Sequence, residues 1–218
     1  NGWWCFSGQR RARSLVVTGN LLAHPRSLAM LGWPDVPLRS AVPLNVDPLL
    51  DTALAQICEM DASVRWNLML ELPRCSDHLP RQIWLTSDAQ KRFGIERIVL
   101  HRQHDQRLGL VVHGLDDGSP ITPASQPGLL LEQESRQRKA LTELLRPWPE
   151  LAQALPLARS LGVMRWGASQ PLDHPLPRSL QWCESSSVGF CGDWIDGPGF
   201  GMAEGALQSA VDLAAQLI

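Results

Sequence analysis

The chain has 218 residues, a formal net charge of −2, and 44% hydrophobic against 19% charged residues. This balance predicts a globular chain of one large or two small domains with a sizeable core and excludes a disordered chain. No large basic cluster, membrane-length apolar stretch or signal peptide is visible, so we expect no nucleic-acid partner and no membrane partner.

The cysteines and histidines predict neither a disulfide framework nor a metal site. Five cysteines are widely spaced without a C-x-x-C pair, and six histidines are scattered without an H-x-x-x-H pair. Reduced thiols and a cytoplasmic location are the expectation. The chain has nine tryptophans and no tyrosine, so an aromatic wall around a substrate must use Trp or Phe.

The first third of the chain predicts two short strands followed by two helices. The strands are expected over residues 2–7 and 14–18, on either side of a basic turn at 10–13. Pro25 opens a helix that Gly32 stops. Asp47 and Pro48 then cap a second helix with one apolar face.

The middle of the chain predicts an antiparallel sheet. Alternation over residues 64–72 is the strongest strand pattern, and its polar face is expected to lie in solvent, with the floor of a substrate pocket as the alternative. Further strands are expected at 82–86, 95–101 and 108–115. The last two form a hairpin across which His101 and His113 could face each other. Two helices then run over 129–145 and to residue 155, and two strands follow at 158–166 and 179–183.

The last 31 residues predict a strand, a glycine-rich loop and a helix. An apolar run begins at Val188 and ends at Gly192 and Asp193, and Gly197, Gly199 and Gly201 alternate in the loop. The helix, over 202–217, has an apolar pattern on most of its circumference.

The start of this helix and the acidic residue before it suggest a ligand site. Gly201 precedes the helix, so no side chain caps its first N–H groups, which can receive a ligand oxygen. Asp193 is placed to accept a hydrogen bond from a sugar-type hydroxyl. A tight turn with glycines for backbone reasons alone is the alternative that spacing leaves open.

Two motifs in the chain resemble a known family. Gly192-Asp193 and Glu204-Gly205-Ala206 are similar to the carboxy-terminal cofactor segment of the flavin-containing amine oxidase superfamily, and more narrowly of its renalase-like branch. The segment 164–168 with Pro171, and residues 14–31, resemble the same branch more weakly.

The resemblance implies a bound FAD and a small-molecule substrate. It implies that Asp193 contacts the ribityl or diphosphate part of FAD and that the helix start faces N1 and O2 of the flavin ring. The implied cofactor-binding residues are Gly192, Asp193, Gly201, Met202, Ala203 and Glu204. Trp166, Trp194 and Phe200 are candidates for the pocket wall, with core packing as the alternative for each. No catalytic residue is assigned.

The resemblance also implies non-covalent FAD, because superfamily members with covalent flavin use a cysteine in the segment that corresponds to 164–168, which has none here. No G-x-G-x-x-G is present. We therefore expect a piece of a longer protein: a substrate domain over 1–180 and the last FAD-binding segment over 181–218. Such a piece alone is expected to be inactive, to bind FAD poorly and to self-associate.

The expected fold is α+β, with a mixed, largely antiparallel sheet, packing helices and a carboxy-terminal strand–loop–helix of a dinucleotide-binding domain. The first functional hypothesis is an FAD-dependent oxidoreductase that transfers a hydride from a small substrate to flavin. The alternative is a non-catalytic binding or interaction module whose glycine-rich turn is only structural.

Overall fold

The computed structural model describes residues 2–8, 10–19, 23–76, 78–118 and 121–217. Within these ranges the fold is α+β. The strands are β1 (Trp4–Cys5), β2 (Arg11–Ala12), β3 (Leu15–Val17), β4 (Asp61–Leu72), β5 (Gln82–Trp84), β6 (Ile95–Arg102), β7 (Leu108–Leu115), β8 (Arg159–Asp173), β9 (Trp182–Cys183) and β10 (Val188–Phe190). The helices are α1 (Pro25–Leu31), α2 (Pro48–Glu59), α3 (Ser87–Phe93), α4 (Gln126–Leu144), α5 (Pro149–Ala154) and α6 (Ala203–Leu217). Residues 20–22 of the segment 14–31 lie outside the described residues.

The chain packs as two compact units. Asn1–Ser63 and Gly167–Ile218 form what we call the terminal unit, and Val64–Trp166 forms the central unit. This division follows packing. The sequence predicts a division by function after residue 180, into a substrate domain and an FAD-binding segment. That division stays a prediction.

The terminal unit contains a small mixed sheet and helix α2. Strand β10 lies between β3, to which it is parallel, and β9, to which it is antiparallel. Asp47 caps α2 as predicted, because its carboxylate accepts hydrogen bonds from the N–H groups of Leu49 and Leu50. The apolar face of α2 packs into a core with Phe190 and Trp194.

The central unit is built on the five-stranded sheet β5-β6-β7-β4-β8, whose pairs β5–β6, β6–β7 and β7–β4 are antiparallel. Alternate residues of β4, from Val64 to Leu72, are buried, as the pattern predicted. Leu68, Leu70 and Leu72 of this strand form a core with residues of α4 and α5.

Several local expectations are wrong. The hairpin register places His101 opposite Gly109 and His113 opposite Arg97, so the two histidines do not face each other. The second face of β4 is half-buried instead of solvent-exposed, and its Glu71 is only 9% exposed.

Three boundaries also differ from the sequence expectation. The basic run at 10–13 contains β2, which pairs with β1. Strand β8 continues to Asp173, beyond the expected end at 166. The expected strand at 179–183 is a 3-10 turn over Arg178–Leu180 followed by the two-residue strand β9.

The described residues contain neither a helix that could cross a membrane nor a cluster of metal-binding side chains. No helix there has both the length and the apolar character that crossing a membrane requires. No group of three or more His, Cys, Asp or Glu side chains in this part of the chain is arranged to hold a metal ion.

Candidate cofactor site at the loop before the last helix

The predicted cofactor residues lie on one loop that follows a buried central strand and on the first turn of the helix after that loop. All three residues of β10 are buried, and the chain leaves the sheet at Cys191. Residues 191–202 then lead to α6. A loop at the end of a strand between two neighbours is held at its base by the sheet, which gives its side chains a defined position.

Backbone hydrogen bonds close this loop on itself. The Gly201 N–H donates to the Asp193 carbonyl at 2.7 Å, and the Met202 N–H donates to the Gly199 carbonyl at 2.9 Å. These bonds bring the two ends of the predicted site together. They also engage the N–H groups of Gly201 and Met202 inside the loop, so the next N–H groups, of Ala203 and Glu204, are the ones left to face a ligand.

Two buried polar side chains, neither of them predicted, hold the base of the loop. The Ser209 hydroxyl accepts from the Gly192 N–H at 2.9 Å and lies 2.9 Å from the Gly192 carbonyl. Gln181 donates to the carbonyls of Phe190 and Ser209 at 3.2 and 3.0 Å. The exposed fractions are 3% for Ser209 and 0% for Gln181.

The sequence of α6 contains one signal of the contact between Ser209 and Gly192. Its buried residues are Gly205, Ser209 and Leu213, spaced four apart on one face. Ser209 is the polar residue on this buried face, and a polar side chain in that position indicates a hydrogen bond to the neighbouring chain. In this chain Leu207 and Val211 of α6 are 70% and 64% exposed, so much of its apolar circumference is uncovered.

Close packing explains two glycines of the motif. A Cβ atom on Gly205 would lie 2.1 Å from the Gly199 carbonyl oxygen, and one on Gly192 would lie 2.2 Å from Nε1 of Trp194. No side chain fits at such distances. Part of the glycine pattern therefore has the backbone origin that the sequence left open.

The Asp193 side chain is half-buried and has a raised pKa. Burial raises the pKa of this carboxyl above its ordinary value, and a contact with its own backbone N–H offsets part of the rise. Among the described residues, no side chain and no other backbone group donates a hydrogen bond to its carboxylate, and no cation pairs with it. A partly desolvated carboxylate in this state favours binding a hydroxyl or an N–H donor.

The start of α6 is also open to a ligand. Met202, Ala203 and Glu204 are exposed, and in the described part of the chain no side chain accepts a hydrogen bond from the N–H of Ala203 or Glu204. A cleft of about 360 Å³ lies beside it, lined by Arg178, Pro198, Gly199, Glu204 and Gln208.

The three predicted wall aromatics have different surroundings. Trp194 is 2% exposed and packs edge-on against Phe190, with ring centroids 5.9 Å apart, so its described contacts are those of a core residue. Phe200 is half-buried in the same loop. Trp166 is 44% exposed on β8 and belongs to the central unit. A role for these residues in a pocket wall stays a prediction.

Comparison with known proteins supports the fold. No protein-family model matches the chain, and no curated protein matches it. Among solved structures, the chain is similar to cyclohexylamine oxidase from Brevibacterium oxydans IH-35A, with 15% identity and a TM-score of 0.53. The match covers 97% of this chain and 44% of that chain, so the chain spans less than half the length of the oxidase. At this identity the likeness shows the fold alone: the chain has an amine-oxidase-like fold.

Proposed function

We propose that the chain forms part of an FAD-dependent oxidoreductase in which a small substrate gives a hydride to the flavin. The observation that carries the proposal is the Asp193 carboxylate. It is half-buried, has no partner among the described residues other than its own backbone N–H, and lies on the loop that leads to an uncapped helix start in an amine-oxidase-like fold. The narrower likeness to renalase-like proteins belongs to this proposal.

The residues present fit one part of FAD. The Asp193 carboxylate would accept a hydrogen bond from a ribityl hydroxyl. The N–H groups of Ala203 and Glu204 would donate to carbonyl oxygens of the flavin ring. Gly192 and Gly201 would shape the loop, since their own N–H groups are engaged within the protein.

When bound, the flavin supplies the hydride acceptor, and this chain supplies orientation and charge. The positive end of the α6 dipole favours negative charge next to its first turn. Buried Ser209 keeps Gly192 in place, and so fixes where the adjacent Asp193 carboxylate lies. We assign no catalytic base, because a neutral amine can lose a hydride without one.

The flavin is proposed to be held non-covalently. Segment 164–168 contains no cysteine. Near the loop, burial raises the pKa of the Cys183 thiol to about 12 and raises that of Cys191 as well. Both thiols are therefore protonated at neutral pH and are poor nucleophiles.

Acid denaturation tests the mode of attachment. We expect precipitation of the flavin-loaded, full-length protein with acid to release all of the yellow colour into the supernatant. Colour that stays with the precipitate after washing would show a covalent bond and contradict this part of the proposal.

Substitution of Asp193 tests the cofactor site. In the full-length protein, Asp193→Ala is expected to weaken FAD binding by about 1–3 kcal/mol, the value typical of losing a charged hydrogen-bond partner. The measurement is the dissociation constant for FAD, from titration of the flavin-free protein.

Asp196→Ala is the matched control, because Asp196 is an exposed acidic residue of the same loop. Its substitution is expected to leave the affinity unchanged. Equal affinities in wild type and Asp193→Ala would remove Asp193 from the site. A full-length protein that binds no flavin at all would favour the non-catalytic module.

A further inference from the structure

One arginine of the terminal unit, Arg178, joins the loop of residues 191–202 to helix α6. It lies at the start of the 3-10 turn that precedes β9. Its Nε donates a hydrogen bond to the carbonyl of Asp196, in the middle of the loop, at 2.9 Å. Its Nη1 lies 2.8 Å from a carboxylate oxygen of Asp212, on α6. A single guanidinium therefore contacts both the loop and the helix that follows it.

The guanidinium also packs against the backbone of the loop. A Cβ atom on Gly197 would overlap Nη2 of Arg178 and would lie 2.9 Å from its Nε. Gly197 has a φ of 139°, which few other residues adopt. The close approach of Arg178 is therefore a reason for a glycine at this position.

Both carboxylate oxygens of Asp212 are engaged. Oδ2 has almost no exposed surface and pairs with Arg178, while Oδ1 accepts a hydrogen bond from Nε2 of Gln208 at 2.8 Å. Gln208 lies one turn earlier on α6. The side chains of Asp212 and Arg178 are 25% and 45% exposed. An ion pair that is partly removed from water and held by a second hydrogen bond is more fixed in its geometry than a pair on the open surface.

The segment just before Arg178 holds the first half of the loop through its backbone. The N–H of Leu176 donates to the carbonyl of Trp194 at 3.0 Å, and the N–H of Asp196 donates to the carbonyl of Leu176 at 2.8 Å. Beyond Asp196, the described backbone–backbone hydrogen bonds of the loop stay within it or run into α6. Arg178 therefore acts at the point where the backbone pairing with Leu176 ends.

The second half of the loop needs such a contact because it is rich in glycine. Gly197, Gly199 and Gly201 all have positive φ angles, of 139°, 80° and 73°. Glycine loses more conformational freedom than other residues when it is ordered, so a loop with three of them adopts many conformations unless contacts select one. A side chain that fixes the middle of the loop reduces that freedom.

We infer that Arg178 is a positioning residue of the cofactor site. By joining Asp196 to Asp212, it holds the loop against α6, and it thereby fixes the Asp193 carboxylate relative to the first N–H groups of the helix. The inference rests on the proposed function and deepens it, since it names a residue outside the predicted site on which FAD binding depends.

Hydrogen exchange in the flavin-free, full-length protein tests the contact without any ligand. Arg178→Gln is expected to raise the exchange rates of the Gly201 and Met202 N–H groups at least roughly tenfold, because their hydrogen bonds close the part of the loop that Arg178 holds. Exchange at the wild-type rate in this variant would overturn the inference.

Arg39→Gln is the matched control. Arg39 likewise lies in a 3-10 turn of the terminal unit and pairs with an aspartate of a helix, Asp51 on α2. Its substitution removes the same kind of ion pair from the same unit without touching the loop. We expect a lower melting temperature for Arg39→Gln, with exchange at Gly201 and Met202 unchanged.

FAD titration and redox titration test the effect on the cofactor site. Arg178→Gln is expected to weaken FAD binding at least roughly tenfold. It is also expected to lower the reduction potential of the bound flavin, because the start of α6 would no longer be held in place to favour negative charge. Arg178→Lys is expected to recover part of both, since lysine keeps the charge beside Asp212 but lacks the planar fork. Arg39→Gln leaves both at their wild-type values.

The outcomes separate this inference from the proposed function. Faster loop exchange in Arg178→Gln with unchanged FAD affinity and potential would make the contact purely structural and overturn the inference. Loop exchange that depends on Arg178 in a protein that takes up no FAD would support the loop-holding role of Arg178 and overturn the oxidoreductase.

Discussion

Asp193 has a free-energy cost in the folded protein that a ligand can offset. Its carboxylate is partly removed from water, and among the described residues no cation or side-chain donor compensates it. The pKa of the carboxyl is raised above its ordinary value of 3.8. At a pH above that value, ionising the carboxyl is therefore less favourable in the folded chain than in the unfolded chain. Residues that bind a ligand often carry such a cost.

Replacing this charge tests the cost directly. Asp193→Asn is expected to raise the melting temperature at pH 7. The gain is expected to shrink as the pH falls through the raised pKa and to vanish below the ordinary pKa, where the wild-type carboxyl is protonated in both states. Melting curves by circular dichroism at pH 7 and at acidic pH measure both effects. A lower melting temperature for the variant at pH 7 would mean that the carboxylate has a stabilising partner.

At the scale of single elements, α6 combines a contact surface with an open surface. Gly205, Ser209 and Leu213 form its buried face, while Leu207 and Val211, one turn apart on another face, are 70% and 64% exposed. Exposed apolar stripes of this kind mark interaction surfaces. We propose that this stripe promotes self-association of the 218-residue chain.

Light scattering measures the effect. Leu207→Glu is expected to shift the chain toward the monomer over a concentration series, because it places a charge in the centre of the stripe. Leu131→Glu is the matched control, since Leu131 is 71% exposed on helix α4. A chain that stays monomeric at every concentration, or two variants that behave alike, would speak against the stripe.

Elements with a strong local pattern could be predicted from the sequence, and those set by distant contacts could not. Asp47 and Pro48 mark the start of α2. In β4, the apolar residues of the alternating pattern are the ones that are buried in the structure. Helix α3 was missed because it has no buried residue and therefore no apolar periodicity, although Thr86 caps it and Gly94 ends it. Likewise the strand expected to end at residue 166 continues as β8 to Asp173, and Pro171 is buried within it.

The same distinction applies to the candidate site. Asp193 and the glycines stand out in the sequence because they are contiguous with the helix. Gln181 and Ser209 do not, since Ser209 contacts Gly192 of the loop from 17 residues away and Gln181 contacts Phe190, just before the loop, from 9 residues away. Nor could the position of Arg97 opposite Trp84 and His113 be predicted, because it depends on the register of β5, β6 and β7. A hairpin register one or two residues away would place other side chains opposite Arg97.

At the scale of the whole molecule, the two units carry different parts of the account. The terminal unit holds the loop, the Asp193 carboxylate and the start of α6. The central unit holds a sheet with one face in the core and the other half-buried and polar.

The measurement that tests the central claim most directly is an absorbance spectrum of the purified full-length protein with a titration of added FAD. The account predicts a flavin band near ~450 nm, saturable FAD binding, and bleaching of the band when a substrate amine is added without oxygen, since these properties belong to the cofactor. A correctly folded full-length protein that shows no flavin band and binds no added FAD would contradict it.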